Sequence, residues 1–255
     1  MKKHTIVDSA KCVGCGLCVS DCVSRCITLK DGKAQINEPF CIGCGHCYAI
    51  CPQDAVTLTG WGEPVREVNA APVEPEALLA MMKRRRSTRQ FQDKPVPQAV
   101  IDQLLEAARY CPTAENHQVV EYIIPDEKKA EAEALAVEGM RKAKKVLDKL
   151  VPALANQDVD DHFFFKNAPL VILVTNKASM DDGLAASYME LMANSLGLGV
   201  LYSGFFRVVS KVNPKLKKLL KIRKGYHLTA CMVIGYPKVK YQRIPPRFPV
   251  KVTRR

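Results

Sequence analysis

Eight cysteines within the first 51 residues repeat one spacing: Cys12-x2-Cys15-x2-Cys18-x3-Cys22 and, 29 positions on, Cys41-x2-Cys44-x2-Cys47-x3-Cys51. Four thiolates around one cubane need short, fixed gaps, and x2 gaps let three of them come from a single tight loop. Gly14, Gly16, Gly43 and Gly45 let backbone N–H groups approach the sulfides and offset their negative charge. The spacing therefore predicts two [4Fe–4S] clusters in a unit of two similar halves. Disulfides and zinc are the competing uses of thiols. Disulfides need an oxidising compartment, whereas residues 1–20 hold no apolar signal-peptide core, so a cytoplasmic location is expected. Zinc takes only four ligands per site and rarely uses an x2-x2-x3 run twice.

The runs resemble those of two-cluster bacterial ferredoxins, in which the fourth cysteine of each run ligates the other cluster. That resemblance assigns Cys12, Cys15, Cys18 and Cys51 to one cluster and Cys41, Cys44, Cys47 and Cys22 to the other. Val23 follows Cys22 where Pro52 follows Cys51, so the first turn is expected to differ slightly from the second. Cys26 falls where the second half has Ala55, beside Ile27 matching Val56, and reads as a small core residue rather than a ligand. His46, inside the second cluster loop, either tunes the cluster through a hydrogen bond or is merely surface.

The 255 residues, 47% of them hydrophobic, suffice for this small unit and a full-sized domain with its own core. We expect the two-cluster domain over 1–59, a Gly/Pro-punctuated linker over 60–75 and an α+β domain over 76–255. The formal charge is +12, and residues 1–60 carry six Lys/Arg against five Asp/Glu, so the excess lies further on. Anionic clusters offset part of it. The remainder suits an anionic cofactor, a phosphorylated reductant or an acidic electron-carrier protein, with no nucleic-acid motif present. No apolar run reaches the ~18 residues of a membrane span.

Along the second domain, helices are expected from Pro75 (apolar face Leu78, Leu79, Met81, Met82), after Pro97 (Ile101, Leu104, Leu105, Ala108), over 126–150, over 182–196 and over 214–221. Strands are expected at 119–124, 170–174, 200–203 and 228–235, without regular alternation. Arg84-Arg85-Arg86-Ser87-Thr88-Arg89 ends the first helix, and arginine forks beside hydroxyls suit phosphate, although a solvated basic face would look the same.

Arg85-Arg86-Ser87-Thr88-Arg89-x-Phe91 resembles the opening motif of the nitroreductase family of FMN enzymes. Further pieces agree in order: Pro112-Thr113-Ala114-x-Asn116, Ala168-Pro169 before a strand, Ser195-Leu196-Gly197-Leu198-Gly199, Ser203-Gly204 and Gly235-Tyr236-Pro237. The set is similar to the ferredoxin–nitroreductase fusions in particular. The resemblance implies a small ferredoxin-type domain followed by a three-layer α+β domain, and a homodimer with FMN at its interface. It puts Arg85, Arg86 and Ser87 at the FMN phosphate and ribityl end and Arg89 near the flavin pyrimidine. Pro112, Thr113, Ala114 and Asn116 would reach the flavin from the partner subunit. Ser203 and Gly204 would face flavin N5, and Arg243 and Arg247 of the tail would close on the phosphate. Residues 126–165 correspond to the variable lid that decides the substrate.

The chemistry so implied is flavin-borne, with no catalytic side chain assigned. Electrons pass between the clusters and FMN to reduce a small acceptor such as a nitro compound, quinone or activated alkene. NAD(P)H or an acidic carrier would be the donor. The alternative is an electron-transfer or redox-sensing module serving a protein partner. Cys111 and Cys231 read as packing thiols. His117 is open to a substrate contact. Lys215, Lys217, Lys218 and Lys221 form either a solvated face or a carrier-docking face. Phe163–Phe165 are either a lid over the flavin or packing.

Overall fold

The computed structural model describes residues 4–62, 72–150, 157–177 and 180–255, without the side chains of 145–150. Most of the expected linker, at 63–71, lies outside them, as do the side chains of Val146 and Leu147. The chain forms two compact units, Met1–Pro72 with Thr113–His117, and Val73–Pro112 with Gln118–Arg255.

The first unit holds strands β1 (His4–Val7), β2 (Ile27–Lys30), β3 (Lys33–Ile36) and β4 (Val56–Thr59), with helices α1 (Leu17–Asp21) and α2 (His46–Ile50). Shifting β1, α1 and β2 by 29 residues gives β3, α2 and β4, so the cysteine repeat extends to the backbone. The halves interlock, because β1 pairs antiparallel with β4 and β2 with β3. Gly14 and Gly16 have φ of 71° and 77°, and Gly43 and Gly45 have 65° and 80°, a left-handed backbone that favours glycine. At Gly14 a Cβ would also lie 2.1 Å from the Gly32 carbonyl oxygen. The turns after the two runs do not differ as expected: Cys22 adopts φ −76°, ψ 102° and Cys51 φ −74°, ψ 113°. Proline would hold the preceding residue extended, and Cys22 reaches the same geometry without one.

The second unit is built on a four-stranded antiparallel sheet in the order β5-β6-β8-β7, from β5 (Glu121–Ile123), β6 (Leu170–Asn176), β7 (Gly199–Tyr202) and β8 (His227–Gly235). Its helices are α3 (Pro75–Arg84), α4 (Gln98–Arg109), α5 (Lys129–Leu150), α6 (Met180–Ser195), α7 (Gly204–Val212) and α8 (Pro214–Leu219). Every residue of β6 is buried. Alternation sends Leu170, Ile172 and Val174 to one face, where Leu104 and Ala108 of α4 and Ala185, Met189 and Ala193 of α6 cover them. Val171 and Leu173 face the other way, against Ala136 of α5, Phe206 of α7 and Leu216 of α8. This is a three-layer α+β fold.

Three sequence readings change. Phe163, Phe164 and Phe165 are buried, with Phe164 edge-on and Phe165 tilted against Phe206 at ring-centroid distances of 5.6 Å and 4.7 Å, so they are core and not a lid. Glu133 fixes that turn: its Oε1 accepts from the backbone N–H of Phe164 and Phe165 at 3.1 Å and 2.6 Å. Helix α7 was not anticipated, because the Ser203-Gly204 turn masked the apolar spacing of Phe205, Phe206, Val208, Val209 and Val212. The apolar face of α3 has no buried residue, with Leu78, Leu79 and Met82 at 37%, 50% and 41% exposure.

Deleting the Phe206 ring leaves a cavity beneath α7 and the Phe turn. Phe206→Ala is expected to destabilise this unit by about 3–5 kcal/mol in chemical denaturation.

Candidate functional site

In the first unit, Cys12, Cys15, Cys18 and Cys51 line one cavity. Cys22, Cys41, Cys44 and Cys47 line a second, together with Cys18 and Cys26. The first cavity thus takes three cysteines from the first run and one from the second, and the second cavity takes three from the second run with Cys18 and Cys22 from the first. Among the described residues no three His, Cys, Asp or Glu side chains converge on a point that suits a single metal ion. The thiols ring a space instead, which fits a polynuclear cluster. Backbone N–H groups already point at the sulfurs: Ala34 to Cys12 at 3.4 Å, Gly43 to Cys41 at 3.4 Å and Ala55 to Cys51 at 3.3 Å. The N–H groups of Ala34 and Gly14 hold the Cys12 thiol below its ordinary pKa. Cys26 is buried as expected of a core residue, yet its Sγ lies 3.5 Å from the Cys22 Sγ. His46 Nδ1 pairs with Asp21 Oδ2 at 3.0 Å on the surface.

In the second unit the segment after α3 runs beside β7. Ser87 bridges Val200 in parallel, the Thr88 N–H donates to the Val200 carbonyl at 3.0 Å, and Phe91 bridges Pro237. Gly199 makes this possible, since a Cβ there would sit 2.2 Å from Thr88 Oγ1. The seam brings Arg85, Arg86, Ser87 and Arg89 alongside the strand that leads into Ser203 and Gly204. The tail returns to the same place, with the Tyr241 hydroxyl donating to the Ser87 carbonyl at 3.1 Å; Arg243 and Arg247 follow it, exposed.

The arginines are not equivalent. Arg85 Nη1 donates to Glu190 Oε1 at 2.8 Å, with the carboxylate only 11% exposed. Arg86 Nη1 donates to the Arg85 carbonyl, and its Nη2 is buried with no acceptor among the described residues. A buried guanidinium nitrogen without a partner is costly, and an anionic oxygen would satisfy it. Arg89 is exposed and donates to the Ser87 carbonyl at 3.4 Å. The Ser203 N–H is taken by the Cys231 carbonyl at 2.8 Å, whereas Gly204 opens α7 with empty space where a Cβ would be. Its N–H is one of the first-turn donors of α7 that have no acceptor within the helix. These features fit an anionic, phosphate-bearing cofactor. Pro112 lies in this unit, but Thr113, Ala114 and Asn116 group with the first, where Asn116 Nδ2 donates to the Gly43 carbonyl at 3.0 Å.

Glu190 and Tyr241 were missed in the sequence. An acid among the apolar residues of the second half of α6 was the available signal for Glu190; nothing marked Tyr241. Cys111 and Cys231 are buried, and burial raises both thiols. His117 lies near Glu115, at 3.5 Å, and is exposed. No helix is long and apolar enough to cross a membrane among the described residues.

The 4Fe-4S dicluster domain description matches residues 4–52, and the Nitroreductase family description matches residues 82–236. A putative NADH dehydrogenase/NAD(P)H nitroreductase of Methanothermobacter thermautotrophicus is 25% identical over 169 residues, covering 63% of this chain and 77% of its own. A nitroreductase from Bacteroides fragilis, solved with bound FMN, is 20% identical with a TM-score of 0.53, over 69% of this chain and 98% of that one. An FMN-dependent nitroreductase of Clostridium difficile is 19% identical with a TM-score of 0.56, over 71% and 100%. The two structures share the fold of the second unit. With the family match spanning more than half of its residues, the chain belongs to the nitroreductase family of FMN-dependent oxidoreductases and carries a 4Fe-4S dicluster domain ahead of that fold.

Proposed function

We propose that the chain is an iron–sulfur flavoprotein oxidoreductase that holds two [4Fe–4S] clusters and FMN and reduces a small acceptor, such as a nitro compound, quinone or activated alkene. The observation that carries this reading is the orphaned Arg86 Nη2, buried in the same unit whose fold is shared with FMN-bound nitroreductases. Bound in these sites, the clusters would supply one-electron exchange and FMN would supply two-electron reduction.

The chain's own residues bind and orient. Cys12, Cys15, Cys18 and Cys51 hold one cluster, and Cys22, Cys41, Cys44 and Cys47 the other. Arg86 and Ser87 take the FMN phosphate, with the Arg85 guanidinium held in place by Glu190. Arg89 sets positive charge near the ring, and the Gly204 N–H is offered to the flavin edge. Arg243 and Arg247 close on the phosphate from the tail that Tyr241 tethers. Thr113, Ala114 and Asn116, with Pro112, reach the FMN of a second copy. The exposed Leu78, Leu79 and Met82 of α3 support such a homodimer, since a second copy would cover them. The name of the Methanothermobacter relative supports NAD(P)H as a direct donor, and the basic surface supports an acidic carrier as the other route.

Iron and sulfide assays on anaerobically purified protein are expected to give about eight irons per chain, two cubanes' worth; a value near four would remove one cluster from the proposal. Arg86→Ala is expected to weaken FMN binding by roughly 10- to 100-fold, the worth of a charged hydrogen bond, while the clusters' visible absorbance stays. Full FMN retention would place the phosphate elsewhere. Arg85→Ala is the poorer probe, because it leaves the Glu190 carboxylate unpaired. Anaerobically reduced protein is expected to be reoxidised by nitroaromatic, quinone or enone substrates. Reoxidation by a protein carrier alone would favour the relay role instead.

A further inference from the structure

The 29-residue repeat allows the two cluster cavities to be compared position by position. Ala34 and Ala55 line the first cavity. Their equivalents in the second are Thr5 and Cys26, and both line it. Thr5 Oγ1 lies 3.7 Å from Cys41 Sγ, and Cys26 Sγ lies 3.5 Å from Cys22 Sγ. Both side chains are buried, so water does not compete for them. When Cys41 and Cys22 are thiolates, the hydroxyl and the Cys26 S–H can only donate to them. The first cavity has a methyl group at each equivalent place. Backbone N–H groups reach ligand sulfurs in both cavities, those of Ala34 and Ala55 in the first and that of Gly43 in the second, so what sets the second cavity apart is its two side-chain donors.

We propose that Thr5 and Cys26 split the two cluster potentials, making the cluster held by Cys22, Cys41, Cys44 and Cys47 the easier to reduce. A hydrogen bond to a ligand sulfur withdraws charge and stabilises the reduced, more negative cluster, so it raises the potential. Two side-chain donors on one side and none on the other give a pseudo-symmetric unit a direction. The electron rests on the Cys22 side. Cys26 is then neither a ligand nor a filler, but a positioning residue acting through Cys22, as Thr5 acts through Cys41. The inference rests on the two-cluster reading above.

The test is an EPR-monitored redox titration of the whole protein with iron counted on the same samples. The native chain is expected to show two separate potentials. Thr5→Ala with Cys26→Ala turns the second cavity into a copy of the first; the higher potential should fall toward the lower, which stays. Thr5→Ser with Cys26→Ser keeps two donors and should keep the split. Eight irons with unmoved potentials in the alanine variant would overturn the inference and leave the cluster reading intact. An equal collapse in the serine variant would overturn it too, assigning the effect to packing. Should the double alanine variant load less iron, each single variant is titrated, and each should move the same potential by part of the shift; no movement in either overturns the inference. Fewer than eight irons in the native chain would sink the two-cluster reading, and the inference with it.

Discussion

The pairing of β6 with β8 is the contact on which the second unit depends. Both strands run through the middle of the sheet with apolar side chains on both faces. Their backbone groups have no water to turn to and are satisfied mainly by neighbouring strands. Everything at the candidate flavin site hangs from the far edge of β8. Strand β7 pairs there, the Ser87–Phe91 segment pairs in turn with β7 and with the end of β8, and the tail folds back onto Ser87. The backbone that carries the arginines is thus placed by its hydrogen bonds and by the close fit of Thr88 on Gly199, and Glu190 then holds the Arg85 guanidinium. Such placement suits a site that must hold a cofactor without moving.

The first unit achieves order differently. It has few apolar residues to bury, and its core is largely the cysteines themselves with Ile27, Ala34 and Ala55. Strand pairing between halves, rather than within them, makes neither half a folding unit alone. Within that symmetry, the side chains at Thr5 and Cys26 are where the halves part chemically.

Much of this was legible in the sequence. The cysteine ladder specified both cavities, because ligand spacing is a local property of the chain. Strands β6 and β8 and helix α6 showed as apolar runs. What stayed hidden depends on contacts remote in sequence. Phe163–Phe165 could not be told from a lid until Phe206 and Glu133 were seen to hold them inside. The four arginines looked alike, and only Glu190, about a hundred residues on, separates Arg85 from Arg86. Cys26 was set apart from the ligands by its match to Ala55, and the same match concealed its contact with Cys22. The face of α3 looked like core and is exposed in a single chain, since periodicity reports that a face is apolar and not what covers it.

The interleaving of the cysteines has a further consequence for how such a chain can change over generations. A residue inserted within one half would displace a thiol that completes the other half's cavity and would shift strands that pair across the repeat. Neither half can therefore lengthen, shorten or be exchanged without its twin following. Point substitutions remain the main route of divergence, and those found at Thr5 and Cys26 lie where a single side chain can distinguish two otherwise identical sites without altering the length of either.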